Sequence, residues 1–94
     1  MATYISLIRF TEQGARNIKD SVDRALAFDQ LVEKSGVEVK GQYWTLGGYD
    51  GVLILEADNA DTVLHSLTEL VSDGNVTLQT LTAFESEKFK SIVG

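Results

Sequence analysis

The sequence predicts an α+β fold, a four-stranded antiparallel sheet in the order strand, helix, strand, strand, helix, strand, followed by a short C-terminal helix. Three observations carry this. Four segments show the alternating, β-branched and aromatic pattern of strands. Two segments between them repeat apolar residues at helical spacing. The second and third strands are joined by Gly47-Gly48-Tyr49-Asp50-Gly51, a turn too short to hold a helix and rich in the residue that tolerates positive φ.

The first strand, Thr3 to Phe10, sets Tyr4, Ser6, Ile8 and Phe10 on one face and Ile5, Leu7 and Arg9 on the other. Thr11-Glu12-Gln13-Gly14 then caps a short helical turn. Asp20 or Ser21 is the N-cap of a longer helix, with Asp23 at its positive end. Val22, Ala25, Phe28, Leu31 and Val32 form its apolar stripe, and Gly36 is a natural C′ residue. The second strand, Val37 to Leu46, is long enough for a bulge at Gly41. Its alternation sets Val37, Val39 and Tyr43 on one face and Glu38, Lys40, Gln42, Trp44 and Leu46 on the other.

After the glycine turn, Val52 to Ala57 is a strand that is apolar on both faces apart from Glu56. Asp58 or Asn59 caps the next helix, whose stripe is Val63, Leu64, Leu67, Leu70 and Val71, and Gly74 ends it. Val76 to Phe84 is the fourth strand. Glu85 to Val93 forms the terminal helix, with Phe89, Ile92 and Val93 on its apolar side.

This order is the split βαβ arrangement of ferredoxin-like domains, βαββαβ. Right-handed crossovers place the first and third strands in the centre and the second and fourth at the edges. The end of the first strand, the Gly47–Gly51 turn and the start of the fourth strand then share one end of the sheet, where Arg9 and Asp50 are expected to meet. Two helices cover one sheet face. The other keeps large apolar residues, a pattern that signals association. A homodimer is therefore expected, its sheets packed face to face as a dimeric α/β barrel. The competing arrangement is a monomer with the terminal helix folded over the open face.

At 94 residues the chain is one domain, 1–94, with a core of limited size. Apolar residues make up 44% and charged residues 23%, a globular mixture. There is no cysteine, so neither a disulfide framework nor thiolate chemistry is available. Eight basic against fourteen acidic residues give a net charge of −6, with no basic run. Phosphates and anionic lipid surfaces repel such a chain, which argues against nucleic acid and membrane partners. Arg9, Glu12 and Arg16 interrupt any signal-peptide core after Met1, so a cytoplasmic location is expected.

Several words of the sequence are more specific than its composition. They are the opening Tyr4 to Phe10 strand with Thr11-Glu12-Gln13-Gly14, Ile18-Lys19-Asp20-Ser21, and Tyr43-Trp44-Thr45-Leu46-Gly47-Gly48-Tyr49-Asp50-Gly51. Together they resemble the GYD domain family across essentially the whole chain. The resemblance implies a ferredoxin-like fold and brings no catalytic set or cofactor with it. A wider analogy is to dimeric α/β-barrel proteins, among them monooxygenases, isomerases and haem-degrading enzymes. The haem-degrading group uses an Asn, a Trp and a His at set places. This chain offers Ser6, Trp44 and His65 on different elements, a departure that counts against haem.

The candidate binding residues are Arg9, Tyr43, Trp44, Tyr49 and Asp50. The three aromatics suit either a pocket wall or an interface. Asp50 before Gly51 is explained by turn chemistry, and with Tyr49 it also has the makings of an acid–base pair. Arg9 suits a carboxylate ligand, an internal pair with Asp50 or Glu56, or a snorkelling position at the sheet end. The glycine spacing matches no phosphate-binding loop. His65 stands at the edge of a helical stripe with no second histidine or cysteine in the chain, so no metal site is expected. Two functional readings follow. One is a homodimeric module with no chemistry of its own and with room for a small-molecule ligand. The alternative is a cofactor-independent enzyme acting on an aromatic or quinone-like substrate through Tyr49, Trp44, Arg9 and Asp50.

Overall fold

Alternating apolar residues give the strands their two faces, and the helices cover one of them. The computed structural model describes Met1–Gly94. Its elements are β1 (Ala2–Phe10), α1 (Glu12–Arg16), a 3-10 turn (Ile18–Asp20), α2 (Ser21–Glu33), β2 (Glu38–Trp44), β3 (Gly51–Ala57), α3 (Ala60–Ser72), β4 (Val76–Ala83) and α4 (Ser86–Val93). The strands lie in the order β2-β3-β1-β4 with every neighbour antiparallel. The expected α+β, ferredoxin-like topology is the one observed.

The caps follow local chemistry. The Thr11 hydroxyl accepts the Gly14 N–H, and the Asn59 side chain accepts the Thr62 N–H, each satisfying a donor that the first helical turn leaves free. Asp20 precedes α2 but makes no side-chain cap. The core lies between α2, α3 and one sheet face. Tyr4, Phe28, Val32, Val37, Leu53, Leu55, Ala57, Val63 and Leu67 form it. Burying a leucine or phenylalanine contributes about 1.5–3 kcal/mol, and truncating one to alanine costs about 2–5 kcal/mol. Leu55 is fully buried on a central strand.

Two expectations are corrected by packing. First, the faces of β2 change partway along. A bulge between Val39 and Gly41 leaves Lys40 unpaired and shifts the register. Val39 lies opposite Leu55, Gln42 opposite Leu53 and Trp44 opposite Gly51, all on the helix-covered face. Tyr43, opposite Val52, falls on the other face. Second, the helical stripes are narrower than their spacing suggests. α2 buries Phe28 and Val32, and α3 buries Val63, Ser66 and Leu67, while Val22, Leu31, Leu64 and Val71 remain exposed. The competing arrangement, with the terminal helix over the open face, is not adopted: α4 forms, but Phe89, Ile92 and Val93 all stay more than half exposed.

The Cα trace spans 48 × 31 × 16 Å. The short dimension holds one sheet and one helical layer, with nothing on the far side. That far face carries Ile5 and Leu7 of β1, Val52 and Ile54 of β3, Leu81 of β4 and Tyr43 of β2.

Candidate functional site

The residues singled out from the sequence gather at the end of β1, where two loops close onto it. From one side comes the turn between β2 and β3. Thr45 braces it, its N–H donating to the Asp50 carbonyl at 3.0 Å and its hydroxyl to the Tyr49 carbonyl at 2.7 Å. The Asp50 N–H donates to the Ile8 carbonyl at 2.7 Å, and its carboxylate Oδ2 accepts the Phe10 N–H at 2.8 Å. Asp50 thus continues the ladder beyond Gly51, the first β3 residue. Such a charge-assisted bond is stronger than one between neutral groups.

Arg9 and Tyr49 complete the clasp on the open face. Arg9 Nε donates to the Gly48 carbonyl at 2.9 Å, and its guanidinium carbon stands 4.6 Å from the centre of the Tyr49 ring. The Tyr49 hydroxyl then donates to Gln79 Oε1 on β4 at 2.8 Å. The expected pairing of Arg9 with Asp50 or Glu56 does not occur. The ion pairs are Arg16–Glu12 and Lys40–Glu38, both exposed. Asp50 is engaged by a main-chain donor and Arg9 by a carbonyl and an aromatic ring.

From the other side comes the turn between α3 and β4. The Thr11 N–H donates to the Asn75 carbonyl at 3.0 Å, and its hydroxyl donates to the Gly74 carbonyl at 2.6 Å. Gln13 Nε2 reaches the Asp73 carbonyl at 2.9 Å and Asn75 Oδ1 at 3.0 Å. Gly14 lies so close that a Cβ there would overlap the Asn75 carbonyl oxygen. Close approach of two backbones, not a turn conformation, requires glycine at this position.

The three aromatics do not form one cluster. Adjacent strand residues point to opposite faces. Trp44 turns toward the helices, its Nε1–H donating to Ser21 Oγ at 2.8 Å. Tyr43 lies against Gly41 on the open face, and Tyr49 sits across the sheet beside Arg9. Beneath Trp44 is a cavity of about 60 Å³, lined among others by Phe10, Ser21, Arg24, Phe28 and Asp50. Arg24 Nη1 donates to the Asn17 carbonyl at 2.8 Å, whereas its Nη2 is buried with no hydrogen-bond partner. Water is the usual partner of such a group, and a few molecules fit this volume.

Sequence reading missed Arg24 and Ser21 as site residues. An arginine inside a helix reads as solvated surface, and Ser21 reads as a cap. The widest depression, about 630 Å³, runs along the free edge of β2 past Asp29, Glu33 and Lys40, and includes none of the five candidate residues. There Glu38, by a 3.2 Å bond and by its charge, and Glu56 behind it hold Lys40 above the ordinary lysine value. His65 is exposed on α3, and no group of three or more His, Cys, Asp or Glu is placed to hold a metal ion. No helix is long and apolar enough to cross a membrane.

All the words that made the sequence specific therefore meet at one end of the sheet: the end of β1, Thr11–Gly14, Ser21 and the Tyr43–Gly51 hairpin. The model of the GYD domain matches residues 4–93. The chain belongs to the GYD domain family. A relative from Thermus thermophilus is 38% identical over 84 residues, which is 88% of each chain, and is named glutamine synthetase and cystathionine beta-lyase binding protein. Two crystal structures share the fold. MtbAldR matches 90% of this GYD chain with a TM-score of 0.65 at 15% identity, and this chain spans about half (52%) of its length. TTHA0845, also from Thermus thermophilus, matches 92% of this chain and 96% of its own, with a TM-score of 0.59 at 23% identity.

Proposed function

We propose that this GYD domain is a non-catalytic binding module that docks onto a metabolic enzyme of the glutamine synthetase or cystathionine β-lyase kind, and does so in the cytoplasm as a homodimer. The observation that carries the enzyme-binding part is the 38% identity, over 88% of both chains, to a protein named for binding those two enzymes. The surface supports it. At the hairpin end, beside the helices, Leu46 is fully exposed and Trp44 is 47% exposed. Aromatic anchors on a rigid support are the residues that dominate protein interfaces. The clasp to β1 supplies that rigidity. The homodimer rests on the open sheet face, whose apolar residues have no cover in the chain itself.

The enzymatic alternative requires an enclosed space of ring size. A cavity that takes benzene is about 150 Å³, and the one beside Trp44, Arg24 and Asp50 is about 60 Å³. Any small ligand there is limited to a few heavy atoms.

Calorimetric titration of the purified chain into glutamine synthetase and cystathionine β-lyase from the same organism tests the reading. Saturable binding to at least one enzyme, weakened by Leu46→Asp, is expected. Heat-silent mixing with both, together with no co-sedimentation, would overturn it.

A further inference from the structure

The open sheet face is polar at its two ends in opposite senses. At one end Arg9 forms no ion pair, and neither of its Nη groups makes a hydrogen bond. At the other end Glu56 lies directly opposite Glu38 across the β2–β3 ladder. Like charges in that position destabilise a sheet. Lys40 lies near both carboxylates but bonds to Glu38 alone, and Glu56 accepts no side-chain hydrogen bond and forms no ion pair within bonding distance. Between the ends the face is apolar, with Ile5, Leu7, Val52, Ile54 and Leu81.

Glu56 pairs with Thr3, six positions along β1 from Arg9, a separation of about 20 Å along the strand. The midpoint is Ser6, between Ile5 and Leu7. A two-fold axis in the plane of the interface has two simple orientations. An axis parallel to the strands sets Arg9 over Arg9 and Glu56 over Glu56. An axis perpendicular to the strands, through that midpoint, sets Arg9 of each copy over the Thr3–Glu56 end of the other. Only the second brings opposite charges together.

Resting on the homodimer proposed above, we infer that a second copy of this chain covers the open face with its strands reversed, joined by two symmetric Arg9–Glu56 ion pairs around an Ile5, Leu7, Val52 and Ile54 centre. The apolar centre supplies the area and the charges at its ends fix the orientation. The Tyr49 ring, already holding the Arg9 guanidinium, shields each pair from water. The unpaired charge at Arg9 and the mismatch at Glu38–Glu56 are both resolved by the same contact.

Sedimentation equilibrium on four samples tests this: the native chain, Arg9→Glu, Glu56→Arg, and an equimolar mixture of the two variants. The native chain is expected as a dimer, and each variant alone as a dimer weakened about tenfold or more, since like charges then face each other twice. In the mixture the Arg9→Glu copy is acidic at both positions and the Glu56→Arg copy basic at both, so opposite charges face each other at both contacts and the heterodimer is expected to recover most of the native affinity. A variant that merely misfolds would not be rescued by mixing. A native chain that sediments as a monomer overturns the homodimer reading itself, including the case in which α4 or an enzyme partner is what covers the face. A native dimer whose single variants are unweakened, or whose mixture is not restored, leaves the homodimer standing and overturns this orientation.

Discussion

The Asp50 carboxylate accepts the main-chain N–H of Phe10 at 2.8 Å, joining residues 40 apart in sequence. Asp50 N–H meanwhile donates to the Ile8 carbonyl, so one residue ties the hairpin to the end of β1 twice. The Gly48-Tyr49-Asp50 word acts residue by residue: a carbonyl for Arg9, a ring for the same guanidinium, and a carboxylate for a strand-end N–H. Each interaction is internal to the fold. The hairpin is thereby held rigid while Leu46 and the edge of Trp44 stay exposed.

Gly14 sits inside α1, where alanine ordinarily gains about 1 kcal/mol of helix propensity. Here the added methyl meets the Asn75 carbonyl, which is itself held by the Thr11 N–H. Gly14→Ala is expected to destabilise by about 2 kcal/mol, the scale of overpacking in a tight contact. Urea denaturation measures it, and a stabilised variant would contradict the close approach.

Gly47 and Gly48 are neighbours with opposite requirements. Gly47 has φ +108°, whereas Gly48 has an ordinary φ and open space where a methyl group would stand. Gly47→Ala is expected to cost about 1–3 kcal/mol, the cost of a strained backbone, and Gly48→Ala to stay within about 0.5 kcal/mol of the native chain. Thermal melts of the two variants side by side check the contrast. Equal losses would count against the turn geometry.

Ser66 is only 2% exposed and its hydroxyl has no hydrogen-bond partner. Removing an unsatisfied buried hydroxyl also replaces serine by the best helix former. Ser66→Ala is expected to stabilise by about 1 kcal/mol, raising Tm by about 4–8 °C for a domain of this size. A lowered Tm would mean that the hydroxyl has a partner, such as a bound water.

Much of the fold is legible in the sequence because it depends on periodicity. Alternation in Tyr4–Phe10 and Val52–Ala57, with turn glycines between the elements, is enough to give the strand order. What is lost is phase. A bulge near Gly41 is suggested by the length of the strand, but a single unpaired residue at Lys40 exchanges the faces of Tyr43 and Trp44, and alternation cannot say so. Helical spacing likewise cannot tell which edge of a stripe meets the sheet, so Leu64 and Val71 read as core and stand in solvent. At the site, topology brings Arg9 and Asp50 to one end, and opposite charge then suggests a pair. The Phe10 N–H competes successfully for the carboxylate because a strand-end donor left unpaired is costly. Every residue carries such a donor, so composition gives no sign of which one will be chosen.

The Gly48-Tyr49-Asp50 turn is, on this account, a structural clasp beneath a binding surface, with Asp50 outside any contact with the partner enzyme. Asp50→Ala tests this most directly when unfolding and enzyme binding are measured on the same preparation. A loss of about 1–3 kcal/mol in stability is predicted, the cost of an orphaned donor, with affinity for the enzyme retained at temperatures where the variant is folded. Unchanged stability with binding abolished would contradict it, and would make Asp50 a contact residue.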